Sequence, residues 1–227
     1  TQWGDKKTID PIRDLFIPSV KNYSDKHGYK HLLITESRYE KEFGNFDFLA
    51  TKTKHYSFER YFHFNNDYDY TIYIDNDVYI YSDSQPLFEF SGLCNVREPE
   101  GNSSLLFREV NNLDTSYGYY NSGVTFCDNK TAKKLSKYMI DRMLNKERAK
   151  GKNSDNMLLN EFIINNKTNF LELGCEWNYM PFLPNSNKTD QPNFFHFVGI
   201  MGKKIINSLQ EKKINIEDFL KQIRKNN

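Results

Sequence analysis

In the stretch DYDYTIYIDNDVYIYS, residues 67–82, Asp75 and Asp77 follow directly on a run of β-forming residues. Two like charges at positions i and i+2 repel, and taking either out of water costs several kcal/mol, roughly, without a partner. Such a pair can present both carboxylates to one cation. Hard oxygen donors suit Mg²⁺ or Mn²⁺, ions that also bind substrate phosphates. The spacing therefore points to a divalent ion held for a phosphorylated ligand, with Asn76 between the acids at the same site. The same triplet also fits an Asx turn capping a strand end, and alone it does not decide between the two.

Three later stretches bear on that choice. YYNSGVTF (119–126) sets Asn121, Ser122 and Gly123 at a strand start, where a small residue lets a sugar or phosphate approach the backbone. SDNMLLNEF (154–162) places Asp155 and Asn156 at the opening, positive end of a helix. FFHFVGIMGK (194–203) supplies His196, Gly199 and Lys203. A neutral imidazole can act as a third metal ligand, and a lysine can neutralise a departing diphosphate.

These residues need elements to hold them. The pattern predicts a helix over Ile9–His27, with Asp10 as N-cap, Pro11 just inside and Gly28 ending it. A strand is expected at 29–37 and a helix at 57–66 with Ser57 as N-cap. Next come a strand at Tyr70–Ile74, strands in PLFEF (86–90) and GLCNVRE (92–98), and β-formers across 119–128. A helix over Thr131–Arg148 follows Asp128 or Asn129, and another covers Ser154–Asn165 behind Ser154. NFLELGCEWNYMP (169–181) reads as a strand and a turn. Ile216, Phe219, Leu220 and Ile223 recur at helical spacing in a terminal helix over 204–225. Helices and strands alternate, which favours α/β with a mainly parallel sheet. In such sheets ligands bind beyond the carboxyl ends of strands, where Asp75 and Asp77 fall.

With 227 residues, 38% of them hydrophobic, and 18 Phe and 15 Tyr, the chain has material for one substantial core. A formal charge of +1 provides no field for nucleic acid. No apolar run approaches the ~20 residues that span a membrane. Cys94, Cys127 and Cys175 are widely spaced without a CxxC pair, which suits free thiols rather than zinc.

Taken in order, these stretches resemble the nucleotide-sugar-dependent glycosyltransferases of the GT-A fold, and within them the retaining group that includes glycogenin and lipopolysaccharide galactosyltransferases. YIDND resembles the family D-x-D, YNSGV its N-[AST]-G, SDNMLLN its D-Q-x-x-L-N, WNYMP (177–181) its W-N and HFVG its H-F-x-G. The resemblance runs from about Thr1 to Lys203 and implies a single GT-A domain over residues 1–227, a mixed, mainly parallel sheet flanked by helices. TQWGD would be the end of the family's first strand, which is then short or trimmed.

The resemblance also implies roles. Asp75, Asp77 and His196 would bind Mn²⁺ or Mg²⁺, with Asp75 bridging to the ribose. Arg60 and Lys203 would contact phosphate or sugar. Asn121, Ser122 and Asp155 would hold donor-sugar hydroxyls, with Asn76, Gly123 and Gly199 lining the donor site and Thr1, Gln2 and Trp3 near the nucleotide. Asp155 or Asn156 would sit where a nucleophile or oxocarbenium stabiliser is needed. The implied reaction moves a sugar from a nucleotide-diphosphate sugar, most commonly a UDP-sugar, to a glycan, lipid, protein or polyol acceptor with retention. The chain departs from the pattern at Asn156, where the family has Gln, and after Lys203, where Pro-Trp is missing. Two other readings stand beside this one: a haloacid-dehalogenase-type phosphohydrolase, since YIDNDVYI also fits strand-D-x-D, and a non-catalytic sugar- or nucleotide-binding module on the same fold.

Overall fold

The computed structural model describes residues 14–35, 38, 41, 58–145, 155–166, 169–189 and 191–226. Helix α1 (Ile17–His27) carries Pro18 in its first turn, where a missing N–H and a fixed φ cost nothing. It ends at Gly28, whose φ of 72° turns its N–H back onto the carbonyls of Ser24 and Asp25. Asp10, Pro11 and Ser57 lie outside the described residues. Helix α2 (Glu59–Phe64) leads into β1 (Tyr70–Ile74), which is followed after a short turn by β2 (Val78–Ile80). Then come β3 (Leu93–Val96), α3 (Asn102–Asn111), β4 (Val124–Asp128), α4 (Asn129–Leu144), α5 (Asp155–Asn166), β5 (Phe170–Leu173), β6 (Phe194–His196), α6 (Gly199–Glu211) and α7 (Ile216–Asn226). Asp128 caps α4 by accepting from the Thr131 N–H at 2.7 Å.

Among the described residues the strands form two sheets. One has the order β1-β4-β3-β5, with β3 and β5 parallel and the other two ladders antiparallel; β2 and β6 pair antiparallel in the second. The expected mixed α/β class with flanking helices is borne out, and the parallel share among the described ladders is smaller than simple alternation suggests. The reason is local: β4 starts beside the end of β3, where the Asn121 N–H donates to the Val96 carbonyl at 3.1 Å, and so runs back along it.

Packing explains where the sequence pattern and the structure part. Residues 29–35 join no ladder among the described residues, and Leu32 and Leu33 stay exposed; β-propensity holds a strand only through cross-strand partners. Residues 86–90 also pair with no neighbouring strand, although Phe88 and Phe90 pack their rings onto Phe126. The terminal helix is two helices. Lys213 adopts a φ of 52° between them, and the Asn215 side chain accepts from the N–H groups of Glu217 and Asp218 to start α7. Helix α3 and strands β2 and β6 go unrecognised in the sequence.

Phe126, fully buried, joins the sheets: its ring meets Phe88, Phe90, Trp177 and Phe194. Trp177 is therefore core. A second layer of Phe62, Leu135, Met139, Leu159 and Phe162 lies under α2, α4 and α5, and a third under α6 and α7.

Asn160 in α5 grips one residue twice, accepting from the Tyr120 N–H and donating to the Tyr120 carbonyl, both at 2.8 Å. An Asn160→Leu substitution strands two buried backbone groups at about 1–3 kcal/mol each. Chemical denaturation is expected to show a loss in that range or above; a loss under 1 kcal/mol would mean that this clamp is dispensable.

Candidate active site

The chain leaves the first sheet at Ile74 and enters the second at Val78, so Asp75, Asn76 and Asp77 occupy the seam. The β2–β6 register sets Val78 opposite His196. That pairing brings the imidazole within 3.2 Å, Nε2 to Oδ1, of Asp77. One ligand atom from each of Asp75, Asp77 and His196 lies within 4.8 Å of the others. The Asp75 N–H donates to the Gly123 carbonyl at 2.7 Å, which ties the seam to the start of β4. A side chain at 123 would run into the His196 ring, the Asn121 side chain and the Asp75 carboxylate. Gly123 is thus required by the closeness of the acids and the imidazole.

Arg60 reaches the seam from α2. It is 3% exposed, its Nη1 donates to the Ser122 carbonyl at 2.5 Å, and its Nη2 donates to Asp155 at 2.8 Å and lies 3.5 Å from Asp75. Its guanidinium sits 3.9 Å from the centre of the Tyr73 ring. Tyr73, two residues before Asp75 on the same strand face, donates its hydroxyl to Asp75 at 2.6 Å. A buried guanidinium is tolerable only when so many of its donors are matched.

The remaining polar groups form one connected chain. His196 Nδ1 meets Asn178 Oδ1 at 2.9 Å, Asn178 Nδ2 donates to Asn121 Oδ1 at 3.0 Å, and Asn121 Nδ2 donates to Glu98 at 3.0 Å. Asn156 Nδ2 also donates to Glu98, at 3.1 Å, while Asn156 Oδ1 accepts the Ser122 N–H at 2.9 Å. Ser122 Oγ donates to Asp155 at 2.8 Å, which returns the path to Arg60. Both ends of the Asn156 amide are engaged internally. Gly199, at φ 80°, opens α6, and Lys203 lies exposed on that helix, outside this chain of contacts. Thr1, Gln2 and Trp3 fall outside the described residues.

Three residues here have no role assigned from the sequence, although Asn178 stands in the W-N stretch. Tyr73 is signalled by its i−2 position to Asp75 in a strand. Glu98 is a carboxylate just past the end of β3. Asn178 is an amide set between Trp177 and Tyr179, a polar group in a stretch with every reason to be buried.

The donor set passes a chemical test for a divalent cation. Four carboxylates, those of Asp75, Asp77, Glu98 and Asp155, face one guanidinium and one imidazole, an excess of negative charge that a dication offsets. Two carboxylate oxygens with one imidazole nitrogen are a donor set that can hold a divalent cation.

Burial lifts the carboxyls of Asp75 and Glu98 above the usual range, although Arg60 opposes it at Asp75 and the Asn121 amide opposes it at Glu98. Burial pushes His196 down, but facing Asp77, Asp75 and Glu98 it is held above its usual value. Each group binds its proton more tightly folded than unfolded. That stability is complete below the unfolded values, about 4 for the carboxyls and 6.5 for the imidazole, and is lost as pH rises through the folded ones. His31, lowered by burial, works in the opposite sense. In a His31→Gln background and without metal, Tm is expected to fall as pH rises above about 6.5, the unfolded imidazole value, through the raised value of His196. A flat or rising Tm over that range would overturn these assignments.

A model of glycosyl transferase family 8 matches residues 21–204. Among solved structures the chain is similar to the galactosyltransferase LgtC in complex with donor and acceptor sugar analogs, with 13% identity, a TM-score of 0.50, and 86% of this chain and 90% of that one covered. It is also similar to an active-site mutant of LgtC, with 16% identity, a TM-score of 0.44, and 69% of this chain and 66% of that one covered. Mouse xyloside xylosyltransferase 1 in its apo form gives 14% identity and a TM-score of 0.41 over 83% of this chain and 72% of that one. No curated protein matches the sequence. At such identity the likeness to the LgtC complex is one of fold, and it bears out the GT-A class expected from the motifs. The order of D-x-D, N-S-G, D-N and H-F-V-G, their convergence at one seam, and a family match over most of the length agree: the chain belongs to glycosyl transferase family 8.

Proposed function

We propose that residues 1–227 act as one catalytic domain that moves a sugar from a nucleotide-diphosphate sugar, a UDP-sugar first among them, to an acceptor hydroxyl with retention of anomeric configuration and in dependence on a divalent cation. The observation that carries the reading is the convergence of Asp75, Asp77 and His196 within 4.8 Å, where the turn between β1 and β2 meets the distant strand β6. These three residues would hold Mn²⁺ or Mg²⁺. A bound dication supplies Lewis acidity to the diphosphate leaving group.

The other roles follow from the chain's own groups. Asp155 spends its Oδ2 on Arg60 and Ser122, so its second oxygen serves a donor-sugar hydroxyl. Arg60 holds Asp155 and Asp75 in register and keeps their repulsion down. Asn121 and Ser122 border the sugar, and Lys203, on the first turns of α6, faces the phosphates once donor is bound. The anomeric C–O bond to the diphosphate breaks, a C–O bond to the acceptor forms on the same face, and the hydroxyl proton leaves with the diphosphate. Family membership gives the phosphohydrolase reading no support. An intact triad speaks against a decayed, non-catalytic module.

With Mn²⁺ at a hundredfold excess over Kd, linkage predicts about 2.7 kcal/mol of stabilisation, on the order of 5–10 °C in Tm for a chain of this size. A UDP-sugar should add a further, metal-dependent shift. Melting curves unmoved by Mn²⁺, Mg²⁺ and a panel of nucleotide sugars would remove the metal and donor assignments together. Asp77→Ala should keep the fold, abolish the Mn²⁺ shift and lower transfer at least about a hundredfold, since it removes a ligand itself. Proton NMR of fresh product should show the donor's own anomeric configuration; the opposite anomer refutes retention.

A further inference from the structure

His196 beside Asp77 poses a chemical problem. A neutral imidazole next to a carboxylate is best satisfied by carrying its proton on the nearer nitrogen, Nε2, and donating it to the acid. In that tautomer Nε2 has no electron pair for a cation. Which nitrogen carries the proton is set by what the other nitrogen meets. Here Nδ1 meets Asn178 Oδ1 at 2.9 Å.

An amide can turn over, so Asn178 by itself settles nothing. Its partner does. Asn178 is fully buried, and its Nδ2 faces Asn121 Oδ1 at 3.0 Å. Asn121 cannot turn over, because it is held between groups of fixed polarity. Its Oδ1 accepts the Gly123 backbone N–H at 2.8 Å, a group that only donates. Its Nδ2 donates to the Glu98 carboxylate at 3.0 Å, a group that only accepts when ionised. Glu98 is held in turn by Asn156, whose own orientation is fixed by the Ser122 N–H on its oxygen. Direction therefore passes from Glu98 through Asn121 and Asn178 to the imidazole with no free choice along the way.

We infer that Asn121, oriented by the Gly123 N–H and the Glu98 carboxylate, and Asn178 form a polarity relay that fixes His196 in the Nδ1–H tautomer and so keeps Nε2 as an electron-pair donor toward the cation. They are positioning residues: each acts on the metal site through the next. The inference rests on the metal-site reading of Asp75, Asp77 and His196, but the tautomer can be read without any metal.

The measurement is the long-range ¹⁵N–¹H correlation pattern of His196 in ¹⁵N-histidine-labelled, metal-free protein at alkaline pH, where the ring is neutral. The wild-type chain should show Nδ1 protonated and Nε2 bare. Asn178→Ala should move the proton to Nε2 and weaken Mn²⁺ binding about 10–100-fold, the cost typical of losing a group that orients a ligand. Glu98→Leu should keep Nδ1–H, because the Gly123 N–H still holds Asn121 Oδ1 in place. Asp77→Asn should lose Mn²⁺ yet keep Nδ1–H, since the relay is untouched. Wild-type protein with Nε2–H overturns the relay even if Mn²⁺ binds. Wild-type protein with Nδ1–H and no affinity for Mn²⁺ or Mg²⁺ leaves the relay standing and overturns the metal reading. If Asn178→Ala does not fold, the wild-type pattern decides.

Discussion

Two carboxylates fixed two residues apart at the junction of two sheets repel, and the rest of the structure is arranged around that repulsion. Arg60 comes from a short helix early in the chain, and His196 from a strand near its far end. Neither can be displaced cheaply. Arg60 is matched on Ser122, Asp155 and the Tyr73 ring, and His196 on Asp77 and Asn178. A buried charge that loses its partners is far more costly than a surface one, so the compensation holds only while α2, the start of β4, the start of α5 and the end of β6 keep their places.

Those places are kept by packing remote from the chemistry. The aromatic group around Phe126 fills the angle between the two sheets, and its rings meet at centroid distances from 5.7 Å to 6.3 Å. Interiors packed in this way deform little. The β1–β4 and β2–β6 registers are thereby transmitted to the seam, and a one-residue slip in either would turn every side chain of that strand to the wrong face. Asn160 performs the same service for Tyr120, which lies next to Asn121. The site thus stands on strand ends and helix starts held by a dense core, which is what precise placement of a few polar groups requires.

What was legible in the sequence follows from how local the determining forces are. The Tyr70–Ile74 strand, the helix behind Asp128 and the D-x-D end all come from alternation, capping and charge within a few residues, and the structure shows them with the expected bounds or close to them. The strand expected at 29–37 does not form over its described residues, 29–35, nor does the one in 86–90, because a strand is a property of a pair, and pairing is non-local. The break at Lys213 was open to view: Asn215 two residues before Glu217 is a helix-start signal, but the continuous apolar spacing masked it. Asp75, Asp77 and His196 were nameable because carboxylate and imidazole chemistry is specific. Glu98 was not, because an acid serving another side chain differs in no way from one serving solvent until the fold shows its partner; Asn178 stood in the W-N stretch, but its role was hidden for the same reason.

Charge compensation and hydrogen bonding make different demands, and the site uses both. Coulombic attraction has no direction: Arg60 would offset Asp75 and Asp155 from many angles. A hydrogen bond has a donor and an acceptor end, and an amide carries one of each. Aspartate at 121 would accept from Gly123 but could not donate to Glu98, and would set two carboxylates against each other. Aspartate at 178 would accept from His196 but face Asn121 Oδ1 with a second acceptor. Glutamine at either position carries an extra methylene into a site where a single Cβ at 123 already collides. Buried amides of this kind are costly unless every polar end is met, and once met they admit one arrangement only. Asparagine at both positions is therefore the side chain that is short enough to fit and two-ended enough to carry polarity from a carboxylate at the end of β3 to an imidazole at the end of β6.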